Sequence, residues 1–220
     1  QLPYYFNLAP NYDATYQLRS MWKRGIIHEG EFRHITKRSQ NEINLGYINK
    51  DKIYDDRVYV SPSPGAPAQP IGELERQDRW LLSLRHEGGS DTRWKTSVNY
   101  SAVSDVDYLQ DIGGNVATNV DQYINPVESS LTDIRAPALD RIGQVQYRGD
   151  AWNLGLKLQG FQNLNPKAAE QYERLPTFNA AWKDDSGPIK LRSKFEYTYF
   201  DKENTKLVGT RSGTILSLIH

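Results

Sequence analysis

The chain has 220 residues, a mean hydropathy of −0.71, no cysteine, and 27 basic residues against 27 acidic ones. Because the net charge is zero, the charge balance offers no attraction for nucleic acid or for an anionic membrane surface. The lack of cysteine excludes a disulfide-stapled domain and a thiolate metal site, and no apolar run approaches the roughly 20 residues that a membrane-spanning helix requires.

Polar and apolar residues alternate in successive segments, and this period of two predicts antiparallel strands. In chain order, about nine strands are predicted, at 11–19, 25–36, 41–49, 79–86, 92–102, 139–148, 152–159, 175–182 and 189–199. In the clearest of them, Trp94 and Tyr100 share one face while Lys95 and Asn99 share the other. Several strands reach the roughly 9–11 residues with which a tilted strand crosses a bilayer.

The connections between these strands differ strongly in length. Short turns are predicted at 23–25, 87–90, 149–150 and 184–187, whereas long links cover 50–77 and 104–137. Outer-membrane barrels pair short turns on one side with long loops on the other. We expect one continuous sheet, with helix confined to a short piece of 104–137. The chain opens directly on an aromatic segment, so we expect a mature or internal piece of a protein.

The same alternation is compatible with two all-β folds. In a transmembrane β-barrel the apolar face meets lipid and the polar face lines the lumen, whereas in a soluble β-sandwich the apolar face is the core. Strand length and the alternating link lengths favour an antiparallel transmembrane β-barrel segment. A secreted or periplasmic β-sandwich that binds glycans through its Tyr and Trp residues stays open, as does a diffusion porin.

One segment superficially resembles a zinc site. His28 and His34 are six residues apart with Gly30 between them, whereas a metalloprotease helix needs two histidines at i and i+4. We predict that both are lumen or rim histidines on one strand. Asp55 and Asp184 begin Asp-Asp pairs typical of turns, and no nucleophile or phosphate-binding motif is found. The sequence therefore predicts no enzyme, no metal site and no cofactor.

Several segments resemble the start of the barrel in the LptD family, the lipopolysaccharide-assembly proteins of the bacterial outer membrane. The opening PYYFNLAPNYDAT at 3–15 carries most of this likeness, which continues through KRG at 23–25 and GEFR at 30–33. Further matches follow in family order, at Asp78-Arg79-Trp80, at 99–105 with Tyr108 and Asp111, and at Thr210-Arg211. Residues 212–220 depart from the family, and no assignment is made there.

The resemblance implies that the chain is the N-terminal part of a larger barrel in the Gram-negative outer membrane. Its first strand, near 10–20, would border a lateral gate through which lipopolysaccharide enters the outer leaflet. Pro3 and Pro10 match two family prolines thought to weaken this seam, whereas Leu18 stands where a third is expected. The gate residues implied in this way are Pro3, Pro10, Asn11, Tyr12 and Asp13. Alternatively, the two prolines simply mark strand starts.

Polar residues of the predicted lumen face are candidates for the substrate path. They are Arg93, Lys95, Asn99, Lys157, Lys190, Arg192 and Lys194. Their cationic members suit the phosphates and sugars of lipopolysaccharide, although each is equally compatible with a solvated wall that binds nothing. The resemblance also implies a plug lipoprotein, LptE, in the lumen, a periplasmic LptA bridge reached through a preceding domain, and contact with outer-membrane lipid. No nucleic-acid partner is expected.

Overall fold

The computed structural model describes residues 2–55, 57, 59–89, 92–113, 138–165, 173–186, 190–201 and 209–219. Eleven strands of these residues form one sheet: β1 (Leu2–Ala9), β2 (Tyr12–Met21), β3 (Gly25–Ile35), β4 (Ser39–Ile48), β7 (Arg79–Gly88), β8 (Trp94–Val103), β9 (Ala138–Arg148), β10 (Trp152–Asn163), β11 (Glu173–Asp184), β12 (Lys190–Asp201) and β13 (Gly209–Ile219). A ribbon of β5 (Tyr59–Val60) and β6 (Gln69–Pro70) and a short helix α1 (Tyr108–Asp111) lie in the two long links.

Each strand of the main sheet pairs antiparallel with its neighbours in the chain, in the order β1-β2-β3-β4-β7-β8-β9-β10-β11-β12-β13. The all-β antiparallel prediction is confirmed, and all nine predicted strands are present. Helix within the described residues is confined to α1, in the link where it was expected. That helix has four residues and is too short to cross a membrane.

The strand predicted near 10–20 is the second strand of the sheet and not the first. Leu2–Ala9 precedes it and pairs with it, with Tyr4 opposite Tyr16 and Phe6 opposite Ala14. Pro10 and Asn11 form the turn between the two strands. β1 was not predicted because its sequence does not alternate. Pro3 and Tyr5 occupy the positions opposite Gln17 and Thr15, where the pattern requires polar residues.

The segment 212–219, to which no structure was assigned, completes the far edge of the described sheet. It belongs to β13, where Ser212 lies opposite Tyr197 and Ile215 opposite Lys194. Residue 220 lies outside the described residues.

The two ends of the sheet differ in their connections. Consecutive antiparallel strands place 10–11, 36–38, 89–93, 149–151 and 185–189 at one end, here called the turn end. The two long links leave the sheet after β4 and after β8, at the opposite end, here called the link end. The predicted alternation of lengths is therefore present with one exception, because the short turn at 22–24 lies at the link end.

The apolar core sits on one face of the sheet at the link end. Ile27 and Ile48 lie opposite each other in β3 and β4, and both are fully buried. Around them pack residues of the main sheet, here called the wall, and of residues 104–113, here called the helical segment. They are Leu81, Val103, Tyr108, Leu109, Ile112, Leu139 and Leu164. Burying one such side chain contributes about 1.5–3 kcal/mol. The 104–113 segment is therefore packed onto the wall and does not project from it.

Candidate functional site: a polar inner wall

The strand registers sort the side chains into two faces, here called inner and outer. Inner residues of β8 are Lys95, Ser97, Asn99 and Ser101, and their partners on β9 include Gln146 and Gln144. The outer residues of the same strand are Trp94, Thr96, Val98, Tyr100 and Ala102. This division is the one that the alternation predicts.

The outer face exposes apolar side chains across many strands. Leu156 is 44% exposed and lies between Val145 and Phe178 of the neighbouring strands. Aromatic pairs collect on the same face near the turn end, with ring centroids 5.0 Å apart for Trp94 and Tyr147. Exposed apolar rows flanked by Trp and Tyr are typical of a lipid-facing barrel surface. The described residues do not bury this face as the core of a sandwich.

The inner face forms a cleft of about 580 Å³ between the turn end of β4 and strands β7 to β10. Three of the predicted path residues, Lys95, Asn99 and Lys157, line it together. Arg85 and the turn residue Arg38 add further cationic groups. The structure thus brings together residues that are far apart in the sequence, such as Arg38 and Lys157, which are 119 positions apart.

The other predicted path residues lie elsewhere. Arg93 lies just before β8, where its Nη2 is 2.9 Å from Asp150 Oδ2 and its side chain is 58% exposed. It therefore does not line the cleft with Lys95. Arg192 pairs with Asp185 at 2.6 Å, and Lys194 is exposed on the inner register of β12. The side chain of Lys190 lies outside the described residues.

The predicted gate residues lie on β1, on β2 and in the turn between them. Pro3 lies within β1, opposite Gln17. Asp13 accepts two hydrogen bonds from Arg33, at 2.9 and 2.8 Å, and one from the hydroxyl of Tyr5 at 3.1 Å. β2 is therefore fastened to β3 by a bidentate ion pair, whereas a single phenol joins β1 to the same carboxylate.

A buried charge network, here called the cap network, joins the two long links to the wall. It consists of Arg24, Asp51, Arg79, Asp105 and Asp111. Arg79 donates to Asp51 at 2.8 Å, to Asp111 at 3.0 Å, and to both oxygens of Asp105 at 2.7 and 2.8 Å. Arg24 donates to Asp51 at 2.6 Å and lies 3.1 Å from Asp111. The Arg79 guanidinium also stacks on Tyr54, 4.0 Å from the ring centroid.

Two carboxylates of the cap network, Asp51 and Asp105, stay ionised despite burial. Burial alone would raise the pKa of Asp51, but hydrogen bonds from Arg79, the Ile53 amide and Arg24 outweigh it and lower that pKa. The pKa of Asp105 is likewise lowered, because Arg79 and the Ser104 hydroxyl outweigh its burial. Burial and the nearby Glu29 carboxylate raise the pKa of Tyr108, so its phenol stays neutral.

A second contact fixes the end of the helical segment. Arg19, on the inner face of β2, donates to the carbonyl oxygens of Ile112 and Gly113 at 3.0 and 2.6 Å. The same guanidinium pairs with Glu29 at 3.0 Å. Because carbonyl groups at a helix end lack partners within the helix, this arginine satisfies groups that would otherwise be unpaired.

The two histidines that were predicted to line the lumen or rim lie on the outer face of β3, His28 in the strand interior and His34 at the turn end. His28 is opposite Leu18 and Tyr47, and its Nδ1 is 2.6 Å from the Tyr16 hydroxyl. His34 lies 3.4 Å from Asn41, which is hydrogen-bonded to His86 at 2.7 Å. Neighbouring polar side chains contact both imidazoles on an otherwise apolar face. The prediction assumed that a polar ring lies on the polar face, and these contacts allow it to lie on the other one.

Comparison with known proteins decides the family. The family model LptD, described as LPS transport system D, matches residues 77–212. The chain belongs to the LptD family. Among curated proteins, the LPS-assembly protein LptD of Pseudomonas aeruginosa (strain LESB58) is 35% identical over 203 residues, and that of Pseudomonas syringae pv. syringae (strain B728a) is 34% identical over the same length. The protein of the same name in Ectopseudomonas mendocina is 31% identical over 204 residues.

The chain is a segment of an LptD-type barrel and not a whole LptD. Each of the three alignments covers 91% or 92% of this chain but 19% of the relative. The antiparallel sheet, its exposed apolar outer face and its polar inner face agree with a segment of an LptD outer-membrane β-barrel.

The cap network is the part of the site that sequence reasoning missed. The sequence pattern places Asp51 in a long loop and Arg24 in a turn. A signal was present, because the LptD-like matches include Arg79, Asp105 and Asp111, and these three side chains meet in the structure. Charged residues of a family motif that lie far apart in sequence point to one shared contact.

Proposed function

We propose that this chain forms part of the wall of an outer-membrane barrel that transports lipopolysaccharide and assembles it in the outer leaflet. One observation carries the proposal: a sheet of LptD-family sequence that presents apolar residues outward and a cationic cleft inward. The amphipathic cargo has acyl chains and phosphorylated sugars, and a wall with these two faces suits both parts. The activity is transport, and the proposed path needs no catalytic group.

The finer proposal places a lateral gate beside β1. β1 pairs with β2, and the register of this pairing is broken between Asn7 and Ala9, next to Pro10. Proline donates no ladder hydrogen bond, and Pro3 lies inside this strand. The lip of the gate is therefore Leu2–Ala9 and not the strand near 10–20, with Pro10, Asn11, Tyr12 and Asp13 at its turn end.

The proposed partners follow from the family. The LptE lipoprotein would occupy the lumen of the complete barrel, and the LptA bridge would deliver lipopolysaccharide through a preceding periplasmic domain. The link end of the lumen is already partly filled by the segment 104–113. A plug would therefore have its free space nearer the turn end, next to the cationic cleft.

Site-specific photocrosslinking in cells tests the transport path. A photoreactive residue at Gln144 faces the cleft, one at Tyr5 faces inward from β1, and one at Val145 is a matched control on the outer face. Lipopolysaccharide adducts are expected at Gln144 and Tyr5 and should disappear when the supply of new lipopolysaccharide is stopped. Lipid adducts at Val145 should not depend on that supply. A folded, membrane-inserted protein with no adducts at either inner position would contradict the proposal.

A further inference from the structure

The inner wall is divided into two halves of opposite charge. In β2 to β4, inner acidic residues outnumber basic ones among the described residues: Asp13, Glu29, Glu31 and Glu42 against Arg19 and Arg33. From β7 to β12 the inner basic residues predominate, with Arg79, Arg85, Lys95, Arg148, Lys157, Lys183, Arg192 and Lys194 against Glu87, Asp140 and Glu196. An anion in the lumen is therefore drawn away from the first strands and toward β7 to β12.

The cations of the two halves also differ in their pairing. Arg33 bonds Asp13 and Glu31, and Arg19 bonds Glu29, so both inner cations of β2 and β3 are paired with carboxylates. In the cleft, by contrast, no ion pair joins Lys95 or Lys157 to a carboxylate of the part of the chain that is described. Asp140 attracts Lys157 electrostatically. The cleft still has a local excess of positive charge, because Arg38, Lys95 and Lys157 line it together with a single carboxylate, Glu87, among the described residues.

The lining between these lysines is rich in neutral hydrogen-bonding groups. Ser97 lies opposite Gln144, which in turn lies opposite Lys157, and Lys95 lies opposite Gln146. Among the described lining residues the single carboxylate is Glu87. Ammonium groups favour phosphate oxygens, while amides and hydroxyls favour sugar hydroxyls. The cleft volume of about 580 Å³ is within the range of small-ligand sites.

We propose that this cleft is a discrete binding site for a phosphorylated saccharide, with Lys95 and Lys157 on the phosphate and Ser97, Gln144 and Gln146 on the sugar. The inference rests on the proposed function, because it identifies the headgroup chemistry that the transported lipid presents here. It differs from a uniformly basic wall, since the inner cations of β11 and β12 outside the cleft do not take part.

The test uses the full-length protein purified with its partner in detergent. The probe is the soluble phosphorylated oligosaccharide obtained by deacylating lipopolysaccharide, compared with the same oligosaccharide after removal of its phosphates and with inorganic phosphate alone. Variants are Lys157→Gln, the charge-conserving Lys157→Arg, and Lys183→Gln as a matched inner-wall control outside the cleft. Binding is measured by calorimetry at fixed ionic strength.

Lys157→Gln should weaken binding of the phosphorylated oligosaccharide by about tenfold, the size expected for one charged hydrogen bond. Lys157→Arg should restore most of it, Lys183→Gln should leave it unchanged, and the dephosphorylated sugar should bind about tenfold more weakly. Inorganic phosphate should compete weakly, because it lacks the sugar contacts. Equal effects of Lys157→Gln and Lys183→Gln, or equal affinity for both sugars, would overturn the discrete site. Surface display of lipopolysaccharide in cells reports separately on the proposed transport function.

Discussion

Arg79 and Asp51 form an ion pair of 2.8 Å in which neither side chain has any exposed surface. Arg79 begins a strand of the wall, and Asp51 lies 28 residues earlier in the first long link. Asp105 from the second long link binds the same guanidinium. One buried cation therefore joins both links to the wall, and the geometry of the link end depends on it.

Replacing Arg79 with Met should destabilise the protein by about 3–5 kcal/mol, because the change leaves buried carboxylates without their cationic partner. Urea unfolding of the full-length protein in detergent measures this loss. Limited proteolysis should also become faster within the long links, since their anchor is removed.

Arg57→Met provides the matched control for that substitution. Arg57 lies in the same link and also binds an aspartate, Asp55, at 2.6 Å, but both side chains are partly exposed. We expect the free energy of unfolding of this variant to be close to that of the parent protein. A similar loss of stability for both variants would show that burial of the cap network is not what makes Arg79 important.

The cap should also respond to pH in a defined direction. The pKa values of Asp51 and Asp105 are lower in the folded protein than in the unfolded chain. The two carboxylates therefore contribute fully to the free energy of unfolding above the ordinary aspartate pKa of about 3.9. This contribution is lost as the pH falls through their lower folded-state pKa values. Hydrogen exchange of residues 104–113, corrected for intrinsic rates, should show equal protection at pH 7 and pH 5 and a loss below pH 4.

Loss of that protection between pH 7 and pH 5 would contradict this assignment, because only groups with a histidine-like pKa titrate there. Asp105→Asn gives an independent check. It removes one of the titrating groups, so the remaining acid transition should become shallower.

The sequence predicts strands and faces well and contacts between links poorly. Alternation is local, and it places Lys95 and Lys157 on the inner face correctly. It fails in β3, where polar residues occupy both faces, so that His28 and Glu29 look equally suited to the lumen. The cap network was not predicted because charged residues in links resemble solvated ones until the fold places them together.

The close approach of the helical segment to the wall leads to a third prediction. A Cβ atom added at Gly46 would lie 2.6 Å from the Tyr108 hydroxyl and 3.6 Å from Leu81 Cβ. Gly46→Ala should therefore displace Tyr108 and destabilise the protein by about 1–3 kcal/mol. Faster hydrogen exchange of residues 104–113 would reveal the displacement.

Gly30→Ala is the control for Gly46→Ala. Gly30 lies in the neighbouring strand, opposite Leu45, and nothing approaches a Cβ atom added there within 4 Å. Alanine at this position should be neutral or slightly stabilising, because glycine weakens a strand interior. If Gly30→Ala were as damaging as Gly46→Ala, the contact with Tyr108 would not explain the effect.

A fourth prediction tests which medium the outer face meets. Leu156→Arg places a charge on the outer face between Val145 and Phe178, and an arginine near the middle of a bilayer costs about 2–4 kcal/mol. Asn179→Arg on the next strand places the same charge on the inner face, opposite Glu196, where water and an acidic neighbour accommodate it. Folding into lipid vesicles should therefore be impaired for Leu156→Arg and close to the parent for Asn179→Arg.

The difference should also shrink in thin bilayers, because the arginine then lies nearer to the headgroups. Equal folding of the two variants in every bilayer would mean that hydrocarbon does not surround the outer face, and the inward direction of the proposed transport path would lose its basis.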